Sequence, residues 1–323
     1  MKQEDLEALL NLFKVELVRM KPDDKFAIVG ATACAVDLLQ FAIQAGFRDR
    51  FAGIFSADCV TDNSTSAPLH KAIDDLRDIA PAVVIIASDE DKEALLDLAV
   101  PHLSARTRVL IGGFGHFQFR EPVYLEEAAK ALIPSFANGY PNSLIHIYQC
   151  LANAARLNLE GIVAEFGMFK GGTTMLMSRF IERLGKPWRV VGFDTYEGFP
   201  PRRSPLDMYA HPDCVCLDEI GVRRNFEGRN VEIIVGDIVE TVNRIGNEDI
   251  VLAFVDTDNY TPAVAVLDVI QDRVVPGGAI VFDHFTGRNR FLFTLGERIA
   301  AKRLLADRRY FNLHDTGVFF RQR

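Results

Sequence analysis

Two apolar runs separated by one amphipathic segment constrain the second half of the chain more than any other feature. The runs are Val251–Val255 and Ala279–Phe282, and acidic residues follow each of them directly. Short apolar runs of this kind indicate buried strands of a parallel sheet, and the segment between them predicts a crossover helix. Parallel neighbours in a right-handed βαβ unit end at the same edge of the sheet. We therefore expect the polar residues that follow the runs to gather at one edge. These residues are Asp256, Asp258, Asp283 and His284.

The second half of the chain contains further apolar runs that predict one larger sheet. Five of them read as parallel strands: Ile162–Phe166, Arg189–Phe193, Val231–Val235, Ile250–Val255 and Ala279–Phe282. A basic helix is predicted at about residues 290–305. Two last runs flank an Asp-Thr-Gly turn, which is a hairpin signal. Parallel strands closed by an antiparallel hairpin are typical of the Rossmann-like class I sheet of S-adenosylmethionine-dependent methyltransferases.

The first part of the chain predicts a smaller domain of the same α/β class. After an amphipathic helix at residues 3–20, four apolar runs alternate with helix-like stretches at residues 35–45, 69–78 and 90–103. The runs are Phe26–Val29, Ala52–Phe55, Ala82–Ala87 and Arg108–Ile111. This alternation predicts a small parallel Rossmann-like domain. We place it at residues 1–117, with a connector at 118–141 and the second domain at 142–323.

The turn after the first strand of the smaller domain has one glycine of a dinucleotide-binding fingerprint. That glycine is Gly30, and Asp58 after the second strand is the acid that could bind a ribose. The turn and the strand order weakly resemble the nucleotide-binding-like domains that precede some sugar-modifying enzymes. Two interpretations stay open, a nucleotide site or a packing, dimerisation or substrate-presenting domain, and we favour the second.

Composition narrows the classes of function. The formal net charge of −8 disfavours a nucleic-acid-binding surface, and no apolar run approaches the ~20 residues that cross a bilayer. The charged amino terminus lacks the apolar core of a signal peptide. Five scattered cysteines disfavour a disulfide framework. We expect a cytoplasmic homo-oligomer that acts on a small molecule, without nucleic acid or membrane partners.

Three successive strand ends of the second domain carry residues suited to a nucleoside cofactor. Glycines after the first strand allow close backbone approach, and the following helix N-terminus favours a carboxylate. Asp194 ends the second strand, where an acid binds a ribose diol, and Asp237 follows the third. Each acid alone fits a helix N-cap equally well, but together they indicate a cofactor site. The predicted cofactor-binding residues are Glu165, Gly167, Gly171, Gly172, Thr173, Thr174, Asp194, Tyr196, Phe199, Gly236, Asp237, Ile238 and Asp256.

The order and spacing of these motifs resemble the macrocin O-methyltransferase family. The similar runs are AEFGMFKGGTT, FDTYEGFP, VRRNFEGRNVEIIVGDIVETV, the stretch ending in AIVFDHF, and HDTGVFFRQ. The resemblance covers about residues 136–321 and leaves the first domain outside. It implies S-adenosylmethionine and a divalent metal, typically magnesium, as cofactors, and a sugar hydroxyl of a natural product as the acceptor. It also implies that Asp258 is the general base.

Methylation of a sugar hydroxyl at neutral pH requires help with its acidity, which a metal and a base supply. Asp256 and Asp283 suit magnesium, which prefers oxygen ligands. The family shows two consecutive acids where this chain has Asp283 and His284, and an imidazole favours manganese, iron, nickel or zinc. His284 could be a ligand of such a metal, an auxiliary base, or the mark of a site that has lost its metal. We favour the first, with Asp258 and His284 as catalytic residues and a metal set of Asp256, Asp283 and His284.

Two further features bear on the acceptor. The long proline-rich segment at residues 200–219 predicts a lid that orders over the cofactor. Arg288, Arg290 and Arg298 could bind an anionic acceptor such as a nucleotide diphosphate sugar, although we favour a solvated helix face. A methyltransferase for a catechol-like or amine acceptor and a non-catalytic binding protein for a nucleotide sugar or cofactor stay open as alternatives. The gathering of three acids favours an enzyme.

Overall fold

The chain divides into two compact units, Met1–Phe119 and Arg120–Arg323, in a computed structural model. The structure describes residues 1–56, 70–139, 142–286 and 292–322. Asp58, Arg288 and Arg290, for which we made predictions, lie outside the described residues. Each unit is built around one sheet with its own buried core.

The first unit contains a five-stranded parallel sheet in the order β3-β2-β1-β4-β5. Its strands are β1 (Phe26–Val29), β2 (Phe51–Ser56), β3 (His70–Ala72), β4 (Val83–Ile86) and β5 (Arg108–Ile111). Its helices are α1 (Gln3–Arg19), α2 (Ala33–Gln44), α3 (Leu76–Ile79) and α4 (Lys92–Ala99). Strands β1 and β4 are buried at every position, as expected for a parallel sheet with both faces covered.

One prediction for the first unit was wrong. We expected a helix at residues 69–78, but His70–Ala72 pairs in parallel with β2, and α3 begins only at Leu76. The strand is half-buried at the edge of the sheet. Its pairing depends on hydrogen bonds to a neighbouring strand, which local periodicity does not report.

The turn after β1 has the conformation that its glycine permits. Gly30 has a φ of 103°, and its N–H donates to the carbonyl of Phe55. Thr32 caps α2 by accepting from the N–H of Ala35 at 3.3 Å. The two interpretations of this turn, a nucleotide site and a packing, dimerisation or substrate-presenting domain, both stay open.

The second unit contains a seven-stranded sheet in the order β11-β12-β10-β9-β6-β7-β8. Its strands are β6 (Ile162–Phe166), β7 (Val190–Asp194), β8 (Val231–Val235), β9 (Ile250–Val255), β10 (Val274–Phe282), β11 (Tyr310–Asn312) and β12 (Val318–Arg321). Strands β6 to β10 are parallel, whereas β12 is antiparallel to both β10 and β11. The predicted Rossmann-like methyltransferase sheet with a terminal antiparallel hairpin is therefore confirmed. Strand β10 begins five residues earlier than predicted, with a register shift between Val274 and Ala279.

Helices flank this second sheet and bury its apolar residues. They are α5 (Pro122–Ala129), α6 (Ser143–Arg156), α7 (Gly172–Arg183), α8 (Glu219–Asn225), α9 (Ile238–Thr241), α10 (Tyr260–Ile270) and α11 (Leu295–Ala306). In the part of the chain that the structure describes, no helix combines the length and the apolar character that crossing a bilayer requires. Because β6 to β10 run in one direction, the residues that follow them share one edge of the sheet.

Candidate active site

A cavity of about 620 Å³ opens at this carboxyl-terminal edge of the second sheet. Its size is typical of a small-molecule site. Residues from all five parallel strand ends or the turns after them contribute to its wall. Those that we predicted for the site and that line the cavity are Gly167, Asp194, Phe199, Asp237, Ile238, Asp256, Asp258 and His284.

The glycines of the first strand-to-helix turn are required by packing within the protein. Gly167 has a φ of 96°, and a Cβ there would lie 2.0 Å from the carbonyl oxygen of Asp256. A Cβ on Gly172 would lie 2.2 Å from the carbonyl oxygen of Pro134. The turn after β6 therefore contacts the exit of β9 directly. A side chain at either glycine would displace main chain next to the cavity.

Asp194 orders the loops on which a nucleoside would rest. One carboxylate oxygen accepts from the N–H of Phe169 at 2.8 Å, and the other accepts from the N–H of Tyr196 at 2.8 Å. Burial raises the pKa of Asp194, although these main-chain hydrogen bonds oppose the shift. Asp194 also lines the cavity. The position agrees with the predicted contact to a ribose, which the structure leaves untested.

Asp237 caps a helix and also contacts the proline-rich segment. It accepts from the N–H of Val239 at 2.9 Å, which is the N-cap arrangement that we considered as an alternative. Its other oxygen lies 2.8 Å from a guanidinium nitrogen of Arg203. Asp237 and its neighbour Ile238 both line the cavity.

The other predicted cofactor residues do not line this cavity, but Glu165, Gly172 and Thr173 line a smaller pocket that adjoins it at Gly167 and Asp256. Glu165 is fully buried and accepts a hydrogen bond from the hydroxyl of Thr174, and burial raises its pKa to about 8. The Tyr196 hydroxyl donates to the sulfur of Met168 inside an apolar cluster. The residues of the predicted set that do not line this cavity are Glu165, Gly171, Gly172, Thr173, Thr174, Tyr196 and Gly236. Contacts between these residues and the cofactor stay a prediction.

The structure brings together the side chains that follow β9 and β10. Nε2 of His284 lies 3.0 Å from Oδ1 of Asp258 and 3.2 Å from Oδ1 of Asp256. These three ligand atoms all lie within 4.8 Å of one another. The predicted gathering of Asp256, Asp258 and His284 at one edge is therefore present.

The protonation of this cluster follows from its burial and its charges. Burial disfavours a charged imidazole, but hydrogen bonds to Asp256 and Asp258 outweigh it and raise the pKa of His284 to about 12. Burial and the nearby Asp283 raise the pKa of Asp256, whereas His284 lowers it. The hydrogen bonds to Asp256 and Asp258 thus favour the charged form of the His284 imidazole. A metal ligand must be a neutral imidazole, so binding a metal here would release a proton.

Asp283 contacts both the main chain and the cluster, and its role as a metal ligand stays a prediction. It is buried, and its Oδ1 accepts from the N–H groups of Asn138 and Gly139 at 2.9 Å and from the Ser143 hydroxyl at 2.6 Å. Its Oδ2 accepts from the same Asn138 N–H at 3.0 Å. Residues 138–143 therefore bind mainly Oδ1, while Oδ2 also lies 3.6 Å from Nε2 of His284. The group with ligand spacing contains Asp258 in place of Asp283.

The donor set of Asp256, Asp258 and His284 fits a divalent metal. Its nitrogen-to-oxygen separations of 3.0 and 3.2 Å match adjacent ligands of an octahedral ion, roughly 3 Å apart at metal–ligand distances of ~2.1 Å. Two carboxylates and one imidazole suit manganese or another first-row transition ion better than magnesium. The residues could therefore hold such an ion.

We did not predict Glu297, which connects the two loops of the cluster. One of its carboxylate oxygens accepts from the N–H groups of Thr257 and Asp258 at 2.8 and 3.0 Å, and the other accepts from the N–H of His284 at 2.9 Å. The side chain is fully buried, and burial raises its pKa to about 7 although His284 opposes the shift. The signal was available, because Glu297 shares the buried face of α11 with small and apolar residues. These are Gly296, Ala300, Ala301 and Leu304.

The proline-rich segment lies along the cavity and is attached to the start of α10. Asp207 accepts from the N–H and the hydroxyl of Thr261 at 2.8 and 2.7 Å. Asn259 exchanges two hydrogen bonds of 2.9 Å with the main chain of Tyr209. Tyr209 and Cys214 line the cavity on this side. Ordering of the segment by the cofactor stays a prediction.

Arg298 is engaged in packing. Its guanidinium lies 4.4 Å from the ring centroid of Phe285 and donates to the carbonyl of Phe285 and, at 3.3 Å, to Asp315. These contacts account for its side chain. The arginine does not line the cavity.

The sequence of the second unit matches a known enzyme family. The sequence model of the macrocin-O-methyltransferase (TylF) family matches residues 139–322. The chain is similar to the solved O-methyltransferase NovP, with 20% identity and a TM-score of 0.47 over 55% of this chain and 78% of that one. It is also similar to the calicheamicin methyltransferase CalS11, with 20% identity and a TM-score of 0.47 over 63% of this chain and 94% of that one. A search of curated proteins gives no match. Because the family match spans more than half of the 323 residues, the chain belongs to the macrocin-O-methyltransferase family and is an S-adenosylmethionine-dependent methyltransferase.

Proposed function

We propose that the protein transfers the methyl group of S-adenosylmethionine to a hydroxyl of a sugar or glycosylated natural product, assisted by a divalent metal. The observation that carries the proposal is the convergence of Asp256, Asp258 and His284 beside the strand ends suited to the cofactor. Family membership supports the sugar acceptor.

The strand ends divide into a cofactor side and an acceptor side. On the cofactor side, Asp194 would bind the ribose hydroxyls, while Asp237 and Ile238 would flank the adenine. The N-terminus of α7 favours the carboxylate of the amino-acid moiety. On the acceptor side, the cavity is bounded by Asp258, His284 and the segment that contains Tyr209 and Cys214.

The reaction requires the acceptor hydroxyl to lose its proton as the methyl group arrives. Asp258 would accept that proton, because its carboxylate lies at the cavity wall. Asp256 and His284 would hold the metal, which when bound raises the acidity of a hydroxyl beside it. Magnesium is the ion that the family resemblance implies, whereas the imidazole favours manganese or another transition ion. Cytoplasmic location and a homo-oligomeric state stay predictions.

A second candidate mechanism rests on a specific observation. Nε2 of His284 is hydrogen-bonded to both Asp256 and Asp258, so the imidazolium itself supplies a cation at the site. In that case, His284 would stabilise the negative charge that develops on the acceptor oxygen, and no metal would be required.

The experiment that tests the proposal combines binding with methyl transfer. Calorimetry with S-adenosylhomocysteine measures cofactor affinity. Labelled S-adenosylmethionine is then incubated with macrocin, simple methyl glycosides, a catechol and an amine, each with EDTA or with added Mg²⁺ or Mn²⁺. We expect transfer to glycosides that EDTA abolishes and Mn²⁺ restores. Full activity in EDTA would favour the metal-free mechanism, and transfer restricted to the catechol or the amine would overturn the sugar acceptor.

A further inference from the structure

We propose that Glu297 is a positioning residue for methyl transfer, because one buried carboxylate holds both Asp258 and His284 in place. The inference deepens the proposed function and rests on it, since Glu297 acts through those two residues. Glu297 does not itself line the cavity, so it is not assigned a contact with substrate or cofactor.

Its two oxygens hold the loops after two different strands. Oε2 accepts from the main-chain N–H groups of Thr257 and Asp258, which follow β9. Oε1 accepts from the main-chain N–H of His284, which follows β10. Hydrogen bonds to a charged acceptor are stronger than those between neutral groups. The bonds from Thr257 and His284 are buried, and the bond from Asp258 is partly buried. The spacing between the loops therefore depends on the length and charge of one side chain.

The conformation of Asp258 shows why such a support is needed. Asp258 has a φ of 58°, in the left-handed region that residues with a side chain seldom adopt, although aspartate tolerates it better than most. This conformation turns its N–H to Glu297 while its carboxylate lies 3.0 Å from His284. A strained backbone persists only where its surroundings determine it, and the bond to Glu297 is one of the contacts that do so.

A purely structural role would give a different result from a positioning role. Loss of a structural contact lowers stability but leaves the geometry of the folded site and its turnover unchanged. Loss of a positioning contact moves Asp258 relative to His284 and slows the reaction without changing cofactor binding. Misplacement of reacting groups by ~1 Å reduces the rate by roughly 100-fold.

Glu297→Gln is the variant of choice, because glutamine has the same size but one acceptor oxygen instead of two. Its amide NH₂ would face a main-chain N–H in either orientation, so one of the loops loses its acceptor. Glu127→Gln is the matched control. Glu127 is also a buried glutamate of the second unit, with Arg179 at 2.7 Å and Arg183 at 2.8 Å, and it does not line the cavity.

The test compares crystal structures and kinetics of the two variants with the unsubstituted protein. For Glu297→Gln we expect Asp258 to leave its positive φ, the 3.0 Å contact with His284 to lengthen, and kcat per S-adenosylhomocysteine-binding site to fall about 100-fold. KM for S-adenosylmethionine should not change. For Glu127→Gln we expect a lower melting temperature with unchanged site geometry and unchanged kcat. A folded Glu297→Gln protein with Asp258 and His284 in place would overturn the inference.

Glu297→Asp provides a second route if the glutamine variant does not fold. It retains the charge, but its shorter side chain cannot reach both loops, so the same displacement and the same loss of kcat are expected. Asp258→Asn separates this inference from the proposed function. If Asp258→Asn retained turnover while Glu297→Gln displaced the loops, the base assignment would fail and the positioning role would stand. If Asp258→Asn lost turnover while Glu297→Gln retained both geometry and kcat, only the positioning role would fail.

Discussion

The two sheets of this protein carry charged side chains at corresponding edges, but the charges are arranged in opposite ways. In the first unit, the buried ammonium of Lys92 lies 2.7 Å from Asp89 and donates to the carbonyls of Gly112 and Gly113 at 3.2 and 2.7 Å. Asp89 in turn accepts from the N–H of Gly115. The bonds to Gly112, Gly113 and Gly115 connect the segment after β4 to the segment after β5, and Lys92 and Asp89 balance each other's charge within the fold.

In the second unit, the edge gathers like charges instead. Asp256 and Asp258 approach the same nitrogen of His284, and Asp283 lies 3.6 Å from it. Such a cluster does not stabilise a fold unless a cation balances it. Both parallel sheets bring charged side chains together at one edge. An excess of negative charge distinguishes the edge that we assign to the reaction. A substitution at the edge of the second sheet should therefore lower turnover with little effect on stability. A substitution at the edge of the first sheet should lower stability with little effect on cofactor binding.

The largest expected effect is on turnover in the second unit. Asp258→Asn keeps a residue type that tolerates a positive φ but removes the base, so kcat should fall by about 10²- to 10⁴-fold with little change in unfolding free energy. Asp249→Asn, at an exposed position at the opposite edge of the sheet, is the control. Initial rates and urea unfolding measure both quantities. Unchanged turnover would remove Asp258 from the mechanism.

The next largest effect is on the stability of the first unit. Lys92→Met removes the buried cation from the half-buried Asp89 and from two carbonyls, so the first unit should lose about 3 kcal/mol of stability. Affinity for S-adenosylhomocysteine should not change. Amide hydrogen exchange in β4 and β5 and calorimetry give the two readouts, with exposed Lys14→Met as the control. A marked loss of cofactor affinity would break the division between a structural and a functional edge.

A smaller effect is expected at the cofactor side. Asp194→Ala removes a charged acceptor at the cavity wall, so the Kd of S-adenosylhomocysteine should rise about 10- to 100-fold. The substitution also removes the contacts to Phe169 and Tyr196, so the crystal structure of the variant should accompany calorimetry. Asp249→Ala should bind normally. Equal affinity for the two variants would contradict a ribose contact.

The smallest effect concerns pH. Glu165 is buried beside the hydroxyl of Thr174, and its pKa is raised to about 8 in the folded protein from an ordinary value of about 4.5. Between these values, the folded state retains a proton that the unfolded state has released, so stability should fall as pH rises. Glu165→Gln should flatten this decline, which urea unfolding of the cofactor-free protein at pH 5 and pH 8 would reveal. An equally steep decline in the variant would assign the pH dependence to another group.

The sequence predicted the edge of the second sheet well because the signals were local. Apolar runs predict the strands, and the parallel direction of the strands predicts that they end at one edge. The polar residues that come directly after the strands are therefore predicted to lie at that edge. Asp256, Asp258 and His284 were identified in this way. Their mutual distances follow from strand pairing between β6, β9 and β10.

The residues that the sequence did not reveal depend on distant contacts. Asp283 was predicted, but its partner Asn138 is 145 residues away, and Glu297 is 39 residues from Asp258. The apolar face of α11 could have marked Glu297 as buried, but neither pairing leaves a local pattern. His70–Ala72 similarly becomes a strand only because β2 lies beside it. Burial of a carboxylate is a weak sequence signal, since the partner that stabilises it is supplied by another part of the fold.

The contacts of Asp283 also determine how short a fragment containing the catalytic domain can be. Two of its donors are the main-chain N–H groups of Asn138 and Gly139, upstream of residue 142, where we placed the start of the second domain. A fragment that begins at residue 142 would retain Ser143 but would lack the two N–H groups that donate to the buried carboxylate of Asp283. A fragment that begins at Arg120 keeps both donors and α5. Any fusion protein that uses the catalytic domain should therefore include the predicted connector from Arg120 onward.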